Sequence, residues 1–235
     1  MSLNGLFPID RWNFHTESVL GVLTTEEHTL LLSGRQDLQC GKGEVIFREG
    51  TVPSGIFLIR SGKVKKYKSG QHGREQIIYV AGPGELIGYH AVLSEDRYPD
   101  SAAAMEETQV AFIPKENFLA TLSRSPLFTK RLLKAISHEF SVLANSISVI
   151  AQQTGPERLA IALIVLREKF KKERSLDEPL TITVPRADLA SMAGIAEENV
   201  IRLLKEFKQE GILETNARKI LIKDLDRLIR RANYS

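Results

Sequence analysis

Near the carboxyl end, Glu198, Arg202, Lys205 and Gln209 recur at the spacing of one helical face. The chemistry of that face suits a nucleic-acid groove. A carboxylate accepts from cytosine N4, a guanidinium pairs with guanine through two bonds, and an ammonium meets phosphate. The opposite face carries Val200, Leu203, Leu204 and Phe207, so the helix needs a core behind it.

The elements that must position this helix lie just upstream. Leu189, Ala193 and Ile195 are apolar where a preceding helix and its turn would face the core, and Ala190 is small where two helices cross. Gly194 stands where the turn needs a positive φ. The run from Arg186 to Lys205 therefore predicts a helix-turn-helix. Two amphipathic helices packed in a core, with no ligand, are the alternative. Downstream, Gly211 to Thr215 and Lys219 to Ile222 predict a hairpin, or wing, with Arg218 and Lys219 at its tip. A short helix from Asp224 to about Ala232 closes the chain.

Composition narrows the classes. Of 235 residues, 43% are hydrophobic and 26% charged, ordinary for a globular chain of one or two domains. The whole net charge of +3 lies in residues 156–235, the part with the helix-turn-helix. A single cysteine, Cys40, excludes an internal disulfide framework, a multi-cysteine iron–sulfur site and a zinc finger within one chain. No apolar run approaches a membrane span, and no basic segment followed by an apolar one opens the chain, which predicts a cytoplasmic protein without membrane contact. There is no glycine-rich phosphate loop, metal-ligand cluster or nucleophile motif, so catalysis is not expected. No cofactor is predicted.

The remaining texture gives the organisation. Ser18 to Ser33 reads as an amphipathic helix, with Thr24 to Glu27 supplying a cap and an acidic turn partway along. From Gly41 to Pro114, β-rich runs (Val45–Phe47, Ile56–Ile59, Val64–Tyr67, Gln76–Val80, Gln109–Ile113) alternate with glycine turns, which predicts an antiparallel roll. From about Pro126 to Ala151 runs one long helical pattern. Leu133, Ile136, Phe140, Leu143, Ile147 and Ile150 are spaced as a heptad seam, the signature of a helix lying along a partner helix. Leu132, Ala135, Val142 and Val149 widen the stripe toward the roll. A core helix within one chain is the alternative, but the sustained 3.5 period favours a homodimer. Thr154-Gly155-Pro156 breaks the pattern and marks a hinge, after which Glu157 to about Lys171 is helical and Leu180 to Pro185 forms a short strand.

This order resembles the Crp/Fnr family of bacterial transcription regulators, from about Leu20 to Leu228. Three motifs carry the resemblance: Gly55 to Lys65 in the roll, Pro83-Gly-Glu-Leu-Ile-Gly88 before the cassette helix, and Arg186 to Lys205 in the reader. It implies an α+β protein of two domains. Residues 1–154 would form a cyclic-nucleotide-binding-like jelly roll with a dimerisation helix at about 126–153, and 155–235 a winged helix-turn-helix. It further implies a homodimer on a near-palindromic DNA operator, meeting RNA polymerase at a promoter. The base-reading positions fall on Glu198, Ile201 and Arg202, where Ile201 replaces the small residue usual there and could contact a thymine methyl. Arg186, Lys205, Arg218 and Lys219 complete the expected DNA-binding set.

The same resemblance locates an effector pocket at Gly88, Tyr89, His90, Arg97, Asp100, Ser101 and Ala102. Gly84-Glu85-Leu86 imitates the cassette start but corresponds to the strand entering it, which leaves Tyr89 in place of the ribose-binding glutamate. Asp100 stands in place of the phosphate-binding arginine, unless a shifted loop brings Arg97 there. A carboxylate facing a cyclic phosphate repels it, so cyclic AMP is not the expected effector. Among the five histidines, His15, His28, His72, His90 and His138, none sits in a haem motif, and Cys40 reads as a small residue near a turn. The effector is left unidentified. A cyclic-nucleotide-binding module with a vestigial reader is the alternative.

Overall fold

The computed structural model describes residues 7–9, 12, 19–70, 73–171 and 181–234; His15, Ser18, His72 and Leu180 lie outside the described residues. The chain forms two units, residues 15–140 and residues 141–235 with the first 14.

In the first unit, two four-stranded antiparallel sheets make the roll. One has the order β1 (Gln36–Cys40), β8 (Thr108–Pro114), β3 (Gly55–Ser61), β6 (Leu86–Ile87). The other runs β2 (Val45–Phe47), β7 (Ser101–Ala104), β4 (Val64–Ser69), β5 (Glu75–Ala81). The five strands expected from β-rich runs are present. Ile56 and Ile59 of β3 and Ile113 of β8 are fully buried. Leu31, Phe118, Phe128 and Leu132 pack with Ile56 and Ile113 in one core. These four come from helices α1 (Thr25–Leu32), α3 (Lys115–Arg124) and α4 (Pro126–Gln152).

One expected element is corrected. In place of a continuous helix from Ser18 to Ser33, Val19–Val22 is a 3-10 turn and α1 begins only after Thr24. The Thr24 hydroxyl accepts from the Glu27 backbone N–H at 3.2 Å, and the Thr24 N–H donates to the Glu27 carboxylate at 2.8 Å. This reciprocal cap satisfies donors that a helix passing through Thr24 would not expose, so the helix starts there.

The long helix α4 is continuous across the unit boundary. Leu132, Val142 and Val149 are buried, while Leu133, Phe140, Ile147 and Ile150 are exposed along the seam; Ile136 and Leu143 are half-buried. Phe140 is 72% and Ile147 69% accessible, values that leave two large apolar side chains with no covering in one chain. After the break, α5 (Gly155–Lys171) is capped by its own first turn: the Thr154 N–H and hydroxyl both donate to the Glu157 carboxylate, at 2.7 and 2.8 Å. The other oxygen of that carboxylate accepts from Asn233 at 2.9 Å. Next to Asn233, the Tyr234 ring lies 5.6 Å from Trp12, the lone tryptophan, and 5.7 Å from Phe7.

The rest of the second unit comprises a three-stranded sheet, β10 (Leu213–Asn216), β11 (Lys219–Ile222), β9 (Thr181–Thr183) in that order, with helices α6 (Arg186–Ala193), α7 (Glu197–Gln209) and α8 (Leu225–Ala232).

In the first unit α2 (Tyr89–Leu93) springs from Gly88, whose φ is +82°; a Cβ there would lie 3.1 Å from the Tyr98 ring and 3.4 Å from that of Phe47. Left-handed backbone and tight contact act together, so Gly88→Ala is expected to lower stability by about 1–3 kcal/mol. A fall in the urea midpoint at unchanged slope is the measurement.

Candidate nucleic-acid interface and sensor pocket

The reader is assembled as its sequence pattern demands. Helix α6 ends at Gly194, in the left-handed region at φ +62°, and its N–H returns to the Ala190 carbonyl. Leu189 and Ala193 are buried, and Val200, Leu203, Leu204 and Phe207 of α7 are buried behind them. That burial fixes the rotation of α7 and leaves Glu198, Ile201, Arg202 and Lys205 exposed on its outer side. Arg202 donates to Glu206 at 2.6 Å, one turn on. An exposed pair of this kind holds weakly, so the guanidinium is free to exchange Glu206 for a base edge.

The wing is the tight hairpin of β10 and β11, with Asn216 opposite Lys219 and the pair Ala217-Arg218 between them. Arg218 and Lys219 are exposed. Arg186 is half-buried beside the wing tip. Its guanidinium donates to the Ala217 carbonyl at 2.7 Å, with the other terminal nitrogen buried.

In the first unit, five side chains from separate parts of the sequence converge: Lys66, Tyr89, His90, Asp100 and Glu139. The Lys66 ammonium is buried between Glu139, with which it makes a short ion pair, and Asp100, at 3.4 Å. The other Glu139 oxygen accepts from the Tyr89 hydroxyl at 2.5 Å and lies 2.9 Å from His90 Nε2. Burial opposes the charge on Lys66, but Glu139 and then Asp100 outweigh it and raise its pKa. Burial likewise opposes the Glu139 charge, and Lys66 with His90 overcomes it, holding this carboxyl well below the usual carboxylate range. For Asp100 burial wins, and its carboxyl is raised despite Lys66. Burial, then Glu139, pushes the Tyr89 phenol far up, so it stays a donor.

Four of the seven expected pocket residues thus belong to this neighbourhood: Tyr89, His90 and Asp100 join the cluster, and Gly88 starts the helix that carries two of them. Ser101 instead accepts from the Glu49 N–H at 2.9 Å, and Ala102 is buried in β7 opposite Lys66. Arg97 is exposed and donates to the Gly50 carbonyl at 2.8 Å, so it does not reach the cluster. Glu85 braces the turn between β5 and β6, taking the Gly82 N–H at 3.2 Å and the Tyr79 hydroxyl.

Lys66 and Glu139 did not stand out as site residues, although the sequence holds a signal for each. Lys66 follows Val64 by two, on the inward side of a strand, and Glu139 sits seven residues after Leu132 in the stripe facing the roll. A charge on an apolar face is the mark of a buried pair.

Removing Lys66 leaves two carboxylates buried without their cation. Lys66→Met is therefore expected to destabilise the first unit by about 3–5 kcal/mol. The Glu139 contribution is present above the ordinary carboxylate pKa, about 4.3, and is lost as the pH falls below it, because the folded-state value is depressed. Asp100 acts in the opposite sense, since its raised value favours proton uptake by the folded state, and it offsets part of that loss. Glu139→Gln should lower stability at neutral pH and flatten its fall on acidification. Urea midpoints from about pH 7 to about pH 3 check both.

Comparison with known proteins agrees with this geometry. Residues 38–125 match the cyclic nucleotide-binding domain family, and residues 157–231 the Crp-like helix-turn-helix domain family. The transcriptional activator protein FnrA of Stutzerimonas stutzeri is 30% identical over 183 residues, covering 78% of this chain and 75% of that relative. The fumarate and nitrate reduction regulatory protein of Escherichia coli K12 is 27% identical over 217 residues, covering 90% and 86%. Among solved structures, the c-di-GMP responsive global regulator CLP of Xanthomonas campestris superposes with a TM-score of 0.73 at 21% identity, covering 85% of this chain and 99% of that one, a likeness of fold. With a β-roll, a long helix and a winged reader in one order, and with these relatives, the chain belongs to the Crp/Fnr family and is a transcription regulator of that type with a helix-turn-helix DNA-binding domain.

Proposed function

We propose that the protein works as a cytoplasmic homodimer that reads a near-palindromic DNA operator with α7 and meets RNA polymerase at the promoter, without a cyclic nucleotide as its signal. Its role is regulatory and not catalytic. The carrying observation is α7 itself: one face wholly buried in Val200, Leu203, Leu204 and Phe207, the other offering Glu198, Ile201, Arg202 and Lys205. We take Thr154–Pro156 as the joint between sensor and reader. Two copies of α4 would cover the exposed seam of Leu133, Phe140, Ile147 and Ile150, with Ile136 and Leu143 at its edge.

The case against a cyclic nucleotide rests on charge. Lys66 lies between Asp100 and Glu139, so the cation nearest the expected phosphate position is already paired, and one carboxylate is left over to repel an anion. The other reading, a cyclic-nucleotide module with a vestigial reader, requires the opposite electrostatics.

Arg202→Ala is expected to cost about 1–3 kcal/mol of operator affinity and to relax sequence preference at one position of each half-site in selection from a randomised duplex pool. Unchanged preference would show that α7 is not the reader. Replacing both Phe140 and Ile147 by Glu should yield monomers or insoluble protein, and sedimentation of a wild-type monomer at roughly micromolar concentration would refute the dimer. Calorimetric titration with cyclic AMP and cyclic GMP should show no binding at roughly micromolar concentration, where two lost charge-assisted contacts weaken a site a hundredfold or more. Binding that also strengthened operator affinity would favour the other reading.

A further inference from the structure

The wing turn contains a backbone conformation that needs support. Ala217 has φ +48°, in the left-handed region that a residue with a Cβ adopts reluctantly. Two bonds hold it, both from the segment entering α6. The Val184 N–H donates to the Arg218 carbonyl at 3.2 Å, and the Arg186 guanidinium donates to the Ala217 carbonyl at 2.7 Å. The first is an extension of the β9–β11 ladder, which pairs Thr183 with Lys219. The second is a side chain placed there by the first residue of α6.

We propose that Arg186 is a positioning residue for the wing: it fixes the Ala217-Arg218 turn on the helix-turn-helix, so that Arg218 and Lys219 are presented to phosphate, and does not itself meet DNA. The proposal rests on the reading that the wing tip contacts phosphate. The geometry supports it in two ways. One terminal nitrogen of Arg186 is buried without a hydrogen-bond partner and the other is held by the Ala217 carbonyl, so the half-buried side chain is anchored against the wing, whereas Arg218 and Lys219 are exposed. The bond also runs between α6 and the wing tip, which makes the wing's placement depend on the motif that carries the reader.

A double-mutant cycle in the full-length protein separates positioning from direct contact. The probe is a duplex that the wild-type protein enriches from a randomised pool, with affinity measured by anisotropy over a series of salt concentrations. Arg218→Ala with Lys219→Ala should lower the salt slope of the homodimer by roughly 3.6, the value for two phosphate contacts in each half-site. Arg186→Ala alone should lower affinity and slope in the same direction. Added to the wing-neutral pair, it should change affinity less than about twofold, because nothing remains for it to position. Arg186→Lys, which keeps a donor for the Ala217 carbonyl, should recover most of the affinity in the wild-type wing and none in the wing-neutral protein. An equal loss from Arg186→Ala in both backgrounds would mean a direct phosphate contact and overturn the proposal, as would no loss in either. An unchanged slope for the wing-neutral pair alone would overturn the phosphate reading of the wing beneath it. Matching thermal transitions of the Arg186→Lys and wild-type proteins keep the cycle interpretable if Arg186→Ala folds poorly.

Discussion

A lysine ammonium buried inside a β-roll is tolerable only if carboxylates meet it, and the first unit is arranged around that requirement. Lys66 projects from β4, Asp100 stands immediately before β7, and Glu139 arrives from α4. Tyr89 and His90, on the short helix after Gly88, occupy the remaining oxygen of Glu139. Removing Lys66 leaves both carboxylates without their cation, and removing Glu139 leaves Tyr89 and His90 without their shared acceptor, so the strand and the two helices are mutually dependent. Three residues expected at an effector pocket, Tyr89, His90 and Asp100, are thereby engaged by the chain's own side chains.

The same logic of satisfying a terminus runs through the second unit. Glu157 receives the Thr154 N–H and hydroxyl on one oxygen and Asn233 on the other, so one carboxylate caps α5 directly after the break and ties it to the end of α8. The Thr154 bonds lower its pKa, as expected for a carboxylate at a helix start. Tyr234 then carries the Phe7 and Trp12 rings, which are buried. The sequence pattern pointed to the break at Thr154–Pro156 but not to this closure, because its members lie at the two ends of the chain and beside the break.

What the sequence made legible follows from how each signal arises. The reader was readable because its two requirements are local: a helical period for α7 and a left-handed residue at Gly194. The strands β3, β4, β5 and β8 were readable because β-branched and aromatic residues suit a pleated surface. Ser101–Ala104 was not, since an alanine-rich run has no strand preference; it becomes β7 by lying between β2 and β4 with every side chain buried. Gln36–Cys40 is a mostly exposed edge strand with little apolar content, and α2 spans five residues, too few for a periodic signal. The ion cluster was half legible. Tyr89 and Asp100 stood out through the resemblance, but the partners that explain them, Lys66 and Glu139, are brought in by tertiary structure. Arg186 was legible only as the start of the motif; its bond to the Ala217 carbonyl joins residues 31 apart in the chain, which no local pattern signals.

The cluster also settles which side of α4 is left exposed. Hydrophobic burial is non-directional, and the apolar stripe of α4 is broad, with Leu132, Ala135 and Ile136 toward the core and Leu133, Phe140 and Ile147 around the helix from them. Area alone would favour several rotations of such a helix about its axis by similar amounts. Hydrogen bonds do not share that indifference. Turning α4 by one residue, about 100°, would carry Glu139 to solvent and drive Phe140 against a buried ammonium, breaking contacts to Lys66, Tyr89 and His90 together. A buried ion cluster of this kind adds little net stability against an apolar replacement, but it penalises every wrong rotation by the desolvation of an unpaired charge. The face that carries Phe140 and Ile147 is therefore outward because Glu139 must be inward. The exposed apolar face of α4 is thus set by electrostatics roughly a quarter-turn around the helix from it.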